Sequence, residues 1–146
     1  MSATQGARPS GHPRSFFKSF WALLAGFLMV VLLSIGTDLA LHFAGVLPAL
    51  EGTMSNSLFV LVTIYRVIYG ILGGYITARL APFGPMGHAL VGGVIGLILN
   101  IVGAVATWNH LPSMGPHWYP VALTLTAMPC AWLGGKLRLM QMVPRS

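Results

Sequence analysis

Residues 58–80 read LFVLVTIYRVIYGILGGYITARL. One charge, Arg66, lies inside this run and another, Arg79, lies at its end. About 20 predominantly apolar residues suffice to cross the hydrocarbon of a bilayer. Lipid cannot satisfy backbone N–H and C=O groups, so a spanning segment is a helix or part of a closed barrel. The run is continuous and rich in Leu, Ile, Val and Gly rather than alternating, which predicts a transmembrane helix.

Three further runs of this kind flank it, at about 20–47, 88–108 and 119–137. Breakers separate them. Pro48 follows the first, Pro82-Phe83-Gly84-Pro85 divides the second from the third, and Pro112 and Pro116 precede the fourth. The chain is 55% hydrophobic and only 7% charged over 146 residues, with a mean hydropathy of +0.78. A soluble domain carries about 25% charged residues. A domain this small buries only about two-thirds of the surface its unfolded chain exposes, so the remaining apolar surface calls for lipid. The expected fold is therefore all-α: a polytopic four-transmembrane-helix bundle made of two helical hairpins. A polar N-terminal tail (1–19) and a short C-terminal tail (138–146) flank the transmembrane domain at 20–137. Met1 to Ser15 is polar, and the apolar run that follows is too long for the core of a signal peptide.

Charge sets the orientation. Arg8, Arg14 and Lys18 precede the first span, Arg79 ends the second, and Lys136, Arg138 and Arg145 follow the fourth. The opposite loops, 48–57 and 109–118, contain no Lys or Arg. Such a split puts both termini in the cytoplasm of a bacterial-type inner membrane. Trp108, Trp118 and Tyr119 then form an aromatic belt at the far face. The net charge of +6 reads as topology, and nucleic acid is not expected as a partner. The single Cys130 excludes an internal disulfide. Leu72-Gly73-Gly74 and Leu133-Gly134-Gly135 echo each other near the ends of spans two and four.

Arg66 is the one basic residue this pattern does not explain. Asp38 lies about nine residues before Pro48 and Arg66 about nine residues inside its span, which places both roughly 13 Å below the same face. Either charge alone near the bilayer centre costs about 2.5–3.5 kcal/mol on insertion scales, so each requires a partner or water. An ion pair across the first hairpin is the expectation. It has two candidate roles: fastening the hairpin, or serving a proton or cation pathway in which Asp38 titrates. His42 lies one turn after Asp38 on the same helical face. With His110 and His117 it is a weak candidate for a metal or haem site, since the spacing matches no local ligand motif. No cofactor is expected.

Small residues mark the packing surfaces. Gly70-x-x-x-Gly74 and Gly92-x-x-x-Gly96 are close-packing motifs, the second lying on a small-residue face of Ala89, Gly92, Gly93, Gly96, Asn100, Gly103 and Ala104. Their expected role is contact within the bundle, with self-association or docking on a larger membrane complex as the alternative. Pro129 is expected to kink the fourth helix. Catalysis is not expected: Asp38 and Glu51 are the only carboxylates, and the glycine clusters lie in apolar spans, unlike phosphate loops.

The run Gly73-Gly74-Tyr75-Ile76-Thr77-Ala78-Arg79-Leu80-Ala81-Pro82, continuing to Pro85-Met86 and His88-Ala89-Leu90, resembles small four-span bacterial inner-membrane proteins of no assigned activity. Trp118-Tyr119-Pro120 and Pro129-Cys130-Ala131-Trp132-Leu133-Gly134-Gly135 add to the likeness. It covers spans two to four and implies topology without implying an activity. The small multidrug-resistance exporters also have four spans and a carboxylate in the first, but that carboxylate is a Glu and their remaining pattern is missing here. The sequence thus points to a structural or accessory membrane protein in the lipid bilayer, with a homo-oligomer or a larger membrane complex as its candidate assembly. A small oligomeric transporter or channel using Asp38 and Arg66 is the alternative.

Overall fold

The structure, a computed structural model, describes residues 13–48, 54–110 and 115–143. Arg8, Glu51, Pro112 and Arg145 lie outside the described residues. Four α-helices make up the fold: α1 (Pro13–Phe43), α2 (Asn56–Leu80), α3 (Pro85–Thr107) and α4 (Trp118–Met142), with a 3-10 turn, Trp108–His110, after α3. Three segments, Ser15–Phe43, Asn56–Leu80 and Pro85–His110, are long and apolar enough to cross a membrane. α4 matches α2 in length but does not join that set. Thr124, Thr126, the Gly134-Gly135 pair, Lys136 and Arg138 dilute its apolar character.

The helix ends follow local chemistry. α1 stops at Phe43, short of the Leu47 expected from the apolar run, because Gly45 takes the left-handed conformation (φ +72°). Val46 N–H donates to Leu41 O at 2.9 Å and Gly45 N–H to His42 O at 3.0 Å. This pair of bonds is the Schellman ending, in which a residue of positive φ lets the chain turn back on the last carbonyls. Pro82 stops α2, whose last cap bond runs from Ala81 N–H to Thr77 O. Gly84 (φ +50°) turns the chain into Pro85, which opens α3 where its missing N–H is harmless. α4 runs through Pro129 and on to Met142, so Arg138 belongs to the helix and not to a tail.

α2 is central and packs on α1, α3 and α4. α3 packs mainly on α4 and only lightly on α1, while α1 and α4 do not meet among the described residues. The helices thus follow one another around the bundle as α1, α2, α4, α3, and the α1–α3 seam is the weak side. Ala22, Ala78 and Ala89 are almost completely covered, together with Gly73, Gly93, Gly134, Gly135, Thr77 and Cys130. Phe59, Val62 and Tyr65 are the bulky members of the core, while many others point outward: Leu32, Val105 and Leu125 are each about two-thirds or more exposed (66%, 71% and 70%). This arrangement suits helices that associate in lipid through small residues.

The closest approach is between α2 and α4. A Cβ on Gly74 would lie 3.0 Å from Ala131 Cα, and one on Gly134 would lie 2.7 Å from Gly74 C and 2.5 Å from Tyr75 N. Gly70 sits against Cys130. The Gly70-x-x-x-Gly74 face is therefore the α4 contact, and Gly134 answers it from the other side. On α3 the packing glycine is Gly93, which meets Ala131 and Met128. Gly92 touches Leu23 and Thr77 at ordinary distances, while Gly96 and Gly103 have nothing within 4 Å of a would-be Cβ. The glycine contacts of α3 therefore fall at the end beside the α2–α3 turn, with Asn100 adding a hydrogen bond to α4 further along.

Gly134→Leu is expected to lower unfolding stability in detergent by about 1–3 kcal/mol, since the added atoms meet backbone that cannot give way. Gly103→Leu, which enters open space, should stay within about 0.5 kcal/mol of the parent. Equal losses in the two variants would show that the α2–α4 approach does not limit stability.

Candidate functional site

The charged pair lies at the end of the bundle away from the short α2–α3 turn. α1 supplies Thr37 and Asp38, α2 supplies Tyr65, Arg66 and Tyr69, and α4 supplies Tyr119. Arg66 Nη2 donates to Asp38 Oδ2 at 2.8 Å. The Tyr65 hydroxyl donates to Asp38 Oδ1, so both carboxylate oxygens are held by donors from α2. One turn along, Tyr69 and Thr37 join their hydroxyls at 2.7 Å, and the Tyr65 and Tyr69 rings lie 5.7 Å apart. Three hydroxyl side chains and one ion pair therefore tie α1 to α2 over a single turn of each helix.

Arg66 also reaches α4. Its guanidinium carbon is 5.8 Å from the centre of the Tyr119 ring, within the range of a cation–π attraction. Tyr119 in turn packs on Phe59, ring centres 5.2 Å apart. Arg66 Nε is buried without an acceptor among the described residues. About a third of each charged side chain is left uncovered by protein (33% and 34%).

The depth of the pair differs from the equal 13 Å expected of both residues. With α1 ending at Phe43, Asp38 is only about 7 Å of axial rise from the end of its helix. The Cα of Arg66 is about 15 Å inside α2, but its head is carried up to Tyr119, the second residue of α4. Long cationic side chains commonly snorkel in this way. The pair thus belongs to the outer part of the span, where the desolvation penalty is smaller than at the centre.

Below the pair a crevice of about 380 Å³ runs between the helices. Asp38, Arg66 and Asn100 stand at one end, Thr77 and Ala89 at the other, and glycines including Gly96 line the middle. Asn100 Nδ2 donates across to Leu123 O of α4 at 3.2 Å. At the closed end His88 Nε2 lies 2.9 Å from Ser19 Oγ, joining α3 to α1.

Other candidates lie elsewhere. His42 is in the last turn of α1, its ring 6.4 Å from that of Phe43. The His117 ring lies edge-on to Trp108 at 4.9 Å, and His110 ends the 3-10 turn. Among the described residues no three His, Cys, Asp or Glu side chains gather as a metal group would, so His42, His110 and His117 do not form one site. The sequence reading did not find Tyr65 and Tyr69, although their spacing of four beside Arg66 carries the signal: both lie on one face.

Replacing Arg66 by Gln strands the Asp38 charge and is expected to cost about 2–3 kcal/mol of unfolding stability. Adding Asp38→Asn should recover part of it, giving a coupling energy of about 1–3 kcal/mol in the double-mutant cycle. A coupling near zero would mean that the pair does not hold the hairpin. Comparison with protein-family models, curated proteins and solved structures finds no match to this chain.

Proposed function

We propose that this chain is a non-catalytic structural or accessory protein of a bacterial-type inner membrane, crossing it four times with both termini in the cytoplasm. The carrying observation is the state of Asp38. Each of its oxygens already accepts a bond from α2, one from Tyr65 and one from Arg66. A carboxylate so fully engaged fastens two helices well and carries a moving proton poorly. Four spans are supported by the packing of α4 along both α2 and α3 and by its exposed outward residues Val121, Leu125, Leu133 and Leu137. The basic residues at the ends of α2 and α4, Arg79, Lys136 and Arg138, support the orientation.

The crevice favours a second reading, a small transporter. It places Asp38 and Arg66 at the mouth of an interhelical space, the arrangement expected of a membrane carboxylate with a task beyond packing.

Reporter fusions test the topology. Fusions at positions 50 and 113 should report the far side, and fusions at positions 83 and 146 the cytoplasm. A far-side signal at 146 would reduce the number of crossings to three. Proton or cation flux into vesicles separates the two roles: no flux is expected from the parent protein, and a flux abolished by Asp38→Asn would establish the transporter.

A further inference from the structure

The crevice is long, narrow and chemically polarised. From Leu23 to Asp38 it follows one face of α1 for roughly 22 Å, somewhat more than the depth of one leaflet. Its volume is about 380 Å³, and glycines line its middle. Gly96 has nothing within 4 Å of a would-be Cβ, so the space beside it is available.

Its two ends differ. Thr77 and Ala89 line the cytoplasmic end and are 3% and 0% exposed, and the His88–Ser19 contact joins α1 to α3 beyond them. At the other end stands the Asp38–Arg66 pair, beside Tyr119 and near the far interface. α1 and α3 touch only lightly, so the seam between them is the side on which the slot meets lipid.

We propose that this slot binds one acyl chain of a phospholipid from the far leaflet, with the lipid's phosphodiester at Arg66. The inference rests on the four-span placement proposed above. An apolar slot at this depth is filled favourably by methylenes, each buried CH₂ adding to affinity. The guanidinium offers the bidentate donors that phosphate oxygens accept, and Asp38 cancels its charge, so the lipid need carry no net charge. A polar end at headgroup depth continuing into a long apolar groove matches a phospholipid better than a compact solute.

The test uses the full chain in vesicles of phosphatidylethanolamine and phosphatidylglycerol. A trace of phosphatidylethanolamine carries a photoreactive diazirine at the end of one acyl chain. After illumination, label is expected on Leu23 and Gly92, which line the inner end of the crevice and are not fully covered, as well as on outward residues such as Val94. Gly96→Leu fills the slot without touching backbone and should reduce the inner label roughly ten-fold while sparing the outer label. Gly103→Leu should leave both unchanged. Unlabelled phosphatidylethanolamine should compete for the inner site, and diacylglycerol, which lacks the phosphate, should not; in Arg66→Gln the two should compete equally. Absence of inner label, insensitivity to Gly96→Leu, or cross-links from a second copy of the chain in its place would overturn the proposal. Equal competition in the parent would overturn the role of Arg66. The fusion reporters read topology independently, so a failed slot and a failed four-span placement are distinguishable.

Discussion

Two backbones touch where α2 meets α4, and the rest of the bundle is arranged around that contact. Gly74 and Gly134 face each other's helices so closely that a Cβ on either would meet main-chain atoms at 3.0 Å or less. Without a hydrophobic force between helices in lipid, such approach is what gives association its dispersion energy. Gly93 brings α3 onto Ala131, and Gly26 and Gly73 bring α1 onto α2. All of these contacts lie in the half nearer the short α2–α3 turn, and several of the same residues line the inner end of the crevice.

Polar side chains do at the far end what glycines do at the near one. Among the described residues α1 does not pack on α4 and packs little on α3, so its Asp38 end is secured through Asp38, Thr37 and their partners on α2. A buried ion pair is often a weak source of stability because desolvation offsets the attraction. Here Arg66 lifts its head toward the interface and stacks beside Tyr119, which reduces that penalty. The same reach links α1 to α4 through a side chain of α2, although the two helices never meet.

Much of this was legible in the sequence, and the exceptions have physical causes. All-helical structure follows from apolar runs that lipid would leave no other way to fold. A partner for Arg66 follows from its charge, and Asp38 was the one acidic residue at a comparable depth. The depth itself was misjudged because Pro48 was taken as the terminator of the first helix, when Gly45 ends it earlier through the Schellman bonds. The stripe on α3 shows another limit. A spacing of four places residues on one face, but it does not say which neighbour, if any, that face meets. Within that small-residue face Gly93 makes the close contact, while a Cβ on Gly96 or Gly103 would meet nothing within 4 Å.

α1 is thus the helix whose position is least constrained by shape and most by chemistry. Near one end it is joined to α3 by the Ser19–His88 contact, and near the other to α2 by the Asp38 cluster, with small-residue contacts to α2 between. The crevice lies along the same face of α1 between those two polar joints. Its width on the α3 side is therefore not set by close packing, as the α2–α4 spacing is, but by where the two joints hold α1. A change in either joint would alter the opening without disturbing the glycine-packed body. Asp38 and Arg66 make the second of those joints, at the end of the crevice that they line.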